Sequence, residues 1–178
     1  QGTASAKISR EHTVASAAPG LTVIAGGKFT TYRIMARDAV DFALGEAAHT
    51  MPSVTRNLPL VGAAGLADAE RELRASSAEF GWNEALLDHL MHRYGANVLD
   101  ILELVRASRD LAQPLVHAPA YLRAEIVYAV THEGALHLDD IMARRTRMVY
   151  EYADEASAAL DEVAEIAGPL LGWAAYTP

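Results

Sequence analysis

Apolar residues recur every three or four positions from residue 67 onward, the spacing that places them on one face of an α-helix. Asn or Asp residues precede several of these stretches and glycines follow them, as is typical of helix starts and ends. The pattern predicts a mainly α fold, with a bundle of five or six helices in this part of the chain. The predicted helices run from Asp68 to Phe80, from Asn83 to Tyr94, from Asn97 onward, from Ala120 to Glu133, from Asp139 to Tyr152 and from Glu155 to Ala167, after which Pro169 starts a final turn and Trp173 and Tyr176 close the core.

The first fifty residues follow a different pattern. Ile8–Val14 reads as a strand, Ala15–Gly20 reads as a turn, and Leu21–Ala25 is a short apolar run typical of a buried strand. After the glycine turn, Gly26-Gly27, apolar residues at helical spacing predict a helix over Thr31–Ala48. This part of the chain is therefore predicted to be a short β-hairpin, a glycine turn and a helix.

The stretch between these two parts has no helical period and contains two prolines and two glycines. Such a composition is typical of a linker. The sequence therefore predicts three segments: residues 1–50 as the hairpin, glycine turn and helix, residues 51–66 as the linker, and residues 67–178 as the helical domain.

Composition narrows the classes of function. The net charge is −8, which argues against nucleic acid as a partner and gives no support to binding of anionic lipid. The chain has no cysteine, so it has no disulfide frame, thiolate metal site or thiol nucleophile. No apolar run approaches the roughly 20 residues of a membrane span, and the first residues do not resemble a signal peptide.

The segment Leu21–Arg33 concentrates the candidate chemistry. Glycine has no Cβ and lets a ligand approach the backbone, and the helix that follows offers unpaired N–H groups. Lys28 adds a positive charge, and Thr30 and Thr31 add hydroxyls. The spacing fits neither a Walker A loop nor the G-x-G-x-x-G fingerprint. From the residues alone, the turn either contacts an anion or a polar cofactor, or is purely structural.

The string GGKFTTYRIMARDAVDF, residues 26–42, resembles the GGK-x-TTYR signature of FAD-dependent, aerobic-type glycerol-3-phosphate dehydrogenases. Other matches to that family lie on both sides, in the family's order, and cover nearly the whole chain. They are Ser9-Arg10-Glu11-His12, Asn57–Ala63, Arg93-Tyr94-Gly95, Glu125–Val130, Leu138-Asp139-Asp140, Ala143–Arg147 and Leu171-Gly172-Trp173.

The resemblance implies a parent flavoprotein that oxidises sn-glycerol 3-phosphate to dihydroxyacetone phosphate and passes electrons through FAD to a membrane quinone. It also implies that the parent is cytoplasmic and peripheral to the cytoplasmic membrane. The family's G-x-G-x-x-G segment is absent from this sequence. We therefore expect these residues to be the helical C-terminal domain and the last segment of the FAD domain, and to be inactive and without retained FAD when alone.

The resemblance also assigns the candidate site residues. It places Arg10 on the substrate phosphate, which suits the fork of a guanidinium group. It places Lys28 beside flavin and substrate, where a cation would stabilise negative charge on the reduced flavin. Gly26, Gly27 and Thr30 are expected to line the flavin edge.

The rival reading is a non-catalytic module, in which the helical domain serves as an interaction or regulatory surface. An exposed apolar patch on the isolated domain would favour it. Self-association into a homo-oligomer through a surface that the parent covers is a further alternative.

For most of the other candidate site residues, the sequence favours a structural role. His132 and His137 are five apart, whereas the zinc-protease motif has histidines four apart, and Gly134 intervenes. His89 and His92 are expected to be surface histidines, and no metal site is predicted. The basic cluster Arg144, Arg145 and Arg147 either contacts phosphate or a partner, or forms salt bridges to acidic neighbours such as Glu151. Ser76-Ser77 has no neighbouring base.

Overall fold

The computed structural model describes residues 11–173 and confirms the mainly α fold. The chain divides into two compact units, Gln1–Pro59 and Leu60–Pro178. We call them the hairpin unit and the helical unit. Among residues 11–173, no helix has both the length and the apolar character needed to cross a bilayer.

The hairpin unit pairs β1 (His12–Ala18) with β2 (Leu21–Gly26) in an antiparallel sheet, with His12 opposite Gly26. The strand predicted over Ile8–Val14 is therefore shifted, and the predicted turn is too long, because the ladder continues to Ala18 and leaves only residues 19 and 20 to reverse the chain. A register shift between Ser16 and Ala18 accommodates this tight reversal. Residues 8–10 of that predicted strand lie outside the described part of the chain.

One helix follows the sheet in this unit. A single 3₁₀ turn, Phe29–Thr31, leads into α1 (Tyr32–Leu44). The predicted helix to Ala48 ends early as an α-helix, because Gly45 adopts φ +57° and the chain continues as a 3₁₀ turn over Gly45–His49.

The first half of the helical unit follows the predicted order. It contains α2 (Leu66–Phe80), α3 (Glu84–Tyr94), α4 (Val98–Ala107) and α5 (Arg123–Thr131). Short 3₁₀ turns at Gly95–Asn97 and Arg109–Ala112 join some of them.

Of the three helix caps at the starts of α2, α3 and α4, one forms as predicted and two do not. Asn83 caps α3 as predicted, because its side-chain oxygen accepts from the Leu86 N–H at 3.0 Å. Asp68 does not cap α2: Gly65 stands at that position and Asp68 lies in the first turn. Asn97 precedes α4, but its side chain donates to the Tyr128 hydroxyl at 3.2 Å and makes no cap.

Helix α5 starts three residues later than the predicted Ala120. Residues before it are held extended against the preceding loop, with the Leu115 N–H donating to the Tyr121 carbonyl at 2.9 Å and the Arg123 N–H donating to the Gln113 carbonyl at 3.0 Å. These tertiary bonds use backbone groups that a helix would otherwise need.

The two helices predicted at the end of the chain are each broken. The first is a π-helical turn, Asp140–Arg145, followed by α6 (Met148–Glu151). The second is divided into α7 (Ala153–Ala158) and α8 (Leu160–Leu171). Pro169 lies inside α8 and does not start a new turn.

The core of the helical unit consists of two apolar clusters. The first joins α2, α3 and α4, and includes Leu73, Leu90, Ile101 and Leu102. The second joins the π-helical turn to α5 and α8, and Trp173 packs against it while partly buried. Tyr176, the other residue predicted to close the core, lies outside the described residues.

The entry into the helical unit is fixed by a close approach of two backbones. The Ala96 N–H donates to the Gly62 carbonyl at 2.7 Å. A Cβ on Gly62 would lie 2.7 Å from the Tyr94 carbonyl oxygen, and one on Gly95 would overlap the Gly62 carbonyl. Glycine at both positions therefore allows the segment before α2 to lie against the corner between α3 and α4.

Candidate functional site

The glycine turn joins β2 to the 3₁₀ turn before α1, and both glycines have φ of +80°. L-residues with side chains rarely adopt this region. A Cβ on Gly26 would lie 2.8 Å from the main-chain oxygen of Glu11, and one on Gly27 would lie 2.5 Å from Met35 Sδ. Both glycines therefore have a structural reason to be there, whether or not the turn also contacts a ligand.

A cavity of about 520 Å³ opens beside the glycine turn, within the hairpin unit. Its wall is mostly apolar, and Lys28 is the one charged residue among the described residues that line it. Phe29 is 91% exposed and Tyr32 is 50% exposed. The lining residues are Ile24, Gly26, Gly27, Lys28, Phe29, Tyr32, Met35, Ala36 and Ala39. Exposed aromatic rings beside a cation and open backbone suit a flat ring system with polar edges.

The predicted site residues are only partly brought together. Gly26, Gly27 and Lys28 line the cavity, whereas Thr30 is exposed and does not line it. The hydroxyl of Thr31 donates to the Lys28 carbonyl at 2.9 Å and accepts from the Lys28 N–H at 3.3 Å, so it closes the turn. Arg10 lies outside the described residues.

A polar contact that the sequence did not indicate ties the hairpin to α1. His12 Nε2 lies 2.8 Å from Asp38 Oδ2. Hydrogen bonds from Arg37 and from His12 hold the pKa of the Asp38 carboxyl below its ordinary value, against a smaller opposing effect of burial. This contact fixes β1 on the helix whose first turns border the cavity.

The helical unit contains a fully buried carboxylate, Glu125. It accepts from His89 Nε2 and from the Tyr94 hydroxyl, each at 2.8 Å, and from the Leu122 N–H at 2.7 Å. Burial and the neighbouring Glu125 raise the pKa of the Tyr94 hydroxyl well above its ordinary value. Since every partner donates, the buried carboxylate is satisfied without leaving the interior. We call His89, Tyr94, Leu122 and Glu125 the buried carboxylate cluster.

A second polar group lies next to this cluster. Arg93 donates from Nη1 to the Arg145 carbonyl at 3.1 Å and from Nη2 to Glu151 Oε1 at 2.9 Å. Its guanidinium carbon lies 5.6 Å from the centre of the Tyr121 ring, and the Tyr121 hydroxyl donates to Glu151. Burial and the Glu151 carboxylate raise the pKa of that hydroxyl.

The sequence reading of the histidines is corrected in one case. His89 is not a surface histidine, because its side chain is only 17% exposed and bonded to Glu125. His92 is exposed and bonded to the Asp88 carbonyl at 2.7 Å, as expected of a surface histidine. A signal for the missed cluster was present: Glu125 is a carboxylate within an otherwise apolar run, residues 124–130.

The basic cluster forms fewer salt bridges than the structural reading supposed. Arg144 pairs with Asp139 and Asp140, but Glu151 pairs with Arg93 and with none of the three clustered arginines. The carboxylate and imidazole atoms of His137, Asp139 and Asp140 lie within 4.8 Å of one another. Because Arg144 already offsets the charge of both carboxylates, this group gives no argument for a cation.

The other flagged side chains are accounted for by protein contacts. His132 stacks on Tyr128 with ring centres 4.6 Å apart and lies 2.7 Å from the Thr131 hydroxyl. Ser76 is buried and accepts from Arg106 at 3.1 Å, and the Ser77 hydroxyl donates to the Arg74 carbonyl at 2.7 Å.

Known proteins are similar to this chain over most of its length. Residues 53–177 match the family described as the C-terminal domain of alpha-glycerophosphate oxidase. The chain is 45% identical to a glycerol-3-phosphate dehydrogenase of Mycobacterium leprae, over 95% of this chain and 29% of that protein. It is 44% identical to glycerol-3-phosphate dehydrogenase 2 of Mycobacterium tuberculosis over the same shares.

A more distant relative is a mitochondrial glycerol-3-phosphate dehydrogenase of Arabidopsis thaliana, 36% identical over 89% of this chain and 27% of that protein. The chain thus spans less than a third of the length of these relatives. The resemblance seen in the ordered motifs is confirmed, and the chain belongs to the family of the C-terminal domain of alpha-glycerophosphate oxidase.

Proposed function

We propose that this chain is the C-terminal part of an FAD-dependent dehydrogenase that oxidises sn-glycerol 3-phosphate to dihydroxyacetone phosphate and passes the electrons to a quinone. The observation that carries the proposal is similarity to named glycerol-3-phosphate dehydrogenases over 95% of the chain. The cavity beside the glycine turn supports it, because it lies at the motif that carries the family resemblance.

The residues beside the glycine turn fit the edge of a flavin. A side chain at Gly26 or Gly27 would collide with neighbouring atoms of the turn. The described wall of the cavity combines aromatic rings with one lysine. When bound, FAD accepts the hydride that leaves the substrate. Lys28 then supplies positive charge at the cavity, Gly26 and Gly27 keep the backbone open, and Thr30 belongs to the same predicted flavin edge.

In this proposal, Arg10 binds the substrate phosphate with its guanidinium fork. Lys28 lies beside both the flavin and the substrate. The enzyme would be cytoplasmic and peripheral to the membrane that holds the quinone. The helical unit would pack against the rest of the enzyme. The reading as a non-catalytic interaction module stays a prediction, as does self-association.

The test is steady-state kinetics of the full-length protein that contains this chain, with sn-glycerol 3-phosphate as substrate and a soluble quinone analogue as acceptor. We expect Arg10→Ala and Lys28→Ala each to lower kcat/KM at least tenfold, because each removes a charged contact to substrate or flavin. Arg56→Ala is the matched control, since Arg56 is an exposed arginine of the linker region. Unchanged kinetics in both site variants would refute the site assignment, and no turnover by the parent would refute the function.

A further inference from the structure

The helical unit has an open cleft that the proposed function does not use. It has a volume of about 410 Å³ and is lined by His89, His92, Arg93, Arg147 and Glu151. Two of these residues are arginines and two are histidines, in a chain whose net charge is −8. We call it the basic cleft.

Glu151, the one carboxylate among the described lining residues of the basic cleft, is already paired. Glu151 accepts from Arg93 at 2.9 Å through Oε1 and from the Tyr121 hydroxyl through Oε2. Burial alone would raise the pKa of this carboxyl, but the Tyr121 hydrogen bond and the charge of Arg93 outweigh it and hold the pKa below its ordinary value. Glu151 therefore stays ionised and offsets Arg93, which leaves the other lining groups to set the remaining charge.

Arg93 forms a rigid part of the wall. Its side chain is 15% exposed, and it is held by the Arg145 carbonyl, by Glu151 and by the face of Tyr121. A guanidinium group fixed in this way loses little further conformational entropy when a ligand arrives.

Among the described residues that line the basic cleft, Arg147 is the cation without an ion-pair partner. No other non-glycine residue in the part of the chain that the structure describes has a positive φ, and its value is +62°. Among the described residues it forms no ion pair, and its guanidinium carbon lies 6.0 Å from the centre of the Tyr150 ring. A residue with a side chain is strained in this conformation, and such strain is concentrated at functional sites. A strained, unpaired arginine at a cleft is thus a reason to look for an anion.

His92 can add to the same site. Its Nδ1 lies 2.7 Å from the Asp88 carbonyl, and because a carbonyl only accepts, Nδ1 carries the proton. Among the described residues, no hydrogen bond is formed by the other ring nitrogen, Nε2. His92 therefore contributes a polar ring to the wall of the basic cleft.

We propose that the basic cleft binds a small phosphate-type dianion, with Arg147 as its main contact and Arg93 and His92 as supporting walls. A guanidinium fork can bind two phosphate oxygens at once. The site lies within the helical unit and rests on none of the residues assigned to flavin or substrate, so it can fail or stand independently of the proposed dehydrogenase activity.

The test is calorimetric titration of inorganic phosphate into the 178-residue chain at low ionic strength. We expect saturable binding by the unchanged chain and at least a tenfold loss of affinity in Arg147→Gly. Because glycine accepts a positive φ, this variant should unfold at the same temperature or higher, which separates loss of binding from loss of fold. Arg71→Gln is the matched control, since Arg71 is an exposed arginine paired with Asp68, and it should bind as the unchanged chain does.

Phosphate chemistry can also come from a lipid headgroup, so a second arm uses vesicles of phosphatidic acid and, separately, of phosphatidylcholine. We expect no retention on either when free phosphate binds. Absence of saturable phosphate binding, or equal binding by Arg147→Gly, would overturn the proposal. Retention on phosphatidic acid alone, lost in Arg147→Gly, would overturn the soluble ligand and assign the cleft to lipid.

Discussion

Tyr94 donates a 2.8 Å hydrogen bond to Glu125, whose side chain is completely buried in the helical unit. The two residues belong to α3 and α5, and His89 of α3 donates to the same carboxylate oxygen. The carboxylate is thus a polar link between α3 and α5, which also contact each other through the rings of Tyr94 and Tyr128.

Removing the Glu125 carboxylate should destabilise the folded helical unit. Glu125→Ala leaves the Tyr94 hydroxyl, the His89 ring and the Leu122 N–H without their acceptor, so we expect a loss of about 3–5 kcal/mol in the free energy of unfolding. Tyr94→Phe removes one donor of three and should cost about 1–2 kcal/mol. Urea denaturation at neutral pH measures both. Equal stability of Glu125→Ala and the unchanged chain would show that the cluster is not structural.

Stability should also depend on Glu133. Burial raises the pKa of its carboxyl above the ordinary 4.5, against the lowering effect of Arg145 and Arg93. The folded state therefore binds this proton more tightly than the unfolded state. The stability from that proton is complete below about pH 4.5 and is lost as pH rises through the raised pKa.

The corresponding variant is Glu133→Gln, which keeps the shape of the side chain and removes its charge. We expect a higher denaturation midpoint than that of the unchanged chain at pH 7, and a difference that shrinks toward zero near pH 4. Urea midpoints measured across this range give the comparison. A Glu133→Gln variant that is less stable at pH 7 would mean that attraction to the two arginines outweighs burial.

The glycine turn offers a test that separates backbone strain from collision. Gly20 and Gly26 have φ of +77° and +80°, but a Cβ on Gly20 meets no atom within 4 Å, whereas one on Gly26 lies 2.8 Å from a main-chain oxygen. We expect Gly20→Ala to cost about 1 kcal/mol and Gly26→Ala about 2–4 kcal/mol. Hydrogen exchange of the β1 and β2 amides reports on this unit directly. Equal protection in both variants would remove the collision from the explanation.

Flavin retention tests what this chain does alone. After incubation with FAD and desalting, we expect neither a visible flavin spectrum nor flavin fluorescence, because the family's pyrophosphate-binding G-x-G-x-x-G segment is absent from the sequence. Retained flavin that is lost in Lys28→Ala would show that the cavity beside the glycine turn holds the cofactor by itself.

Capping residues and glycines at the ends of helices explain which helices can be predicted from the sequence. The sequence predicts both ends of helix α3 because Asn83 caps it and Gly95 follows its last residue. The sequence does not predict the break after Arg145, because no glycine or proline follows it there. There the buried Thr146 hydroxyl donates to the Ile141 carbonyl at 2.8 Å and Arg147 turns left-handed. That break depends on packing, which overrides local propensity.

The candidate sites divide in the same way. Gly26, Gly27 and Lys28 are neighbours in sequence, so their common position could be predicted from a strand, a turn and a helix. Two members of the buried carboxylate cluster, Tyr94 and His89, are 31 and 36 residues from Glu125 along the chain. Only the packing of α3 on α5 brings them together, and no residue spacing in the sequence encodes that.

The bond between Gly62 and Ala96 decides where the helical unit can be cut from its neighbours. A boundary drawn at Leu66, where α2 begins, would discard the carbonyl that the Ala96 N–H uses and the glycine that fits against the α3–α4 corner. The family match begins at residue 53. An excised helical unit should therefore keep the residues before Gly62, and a fusion partner should be joined upstream of them.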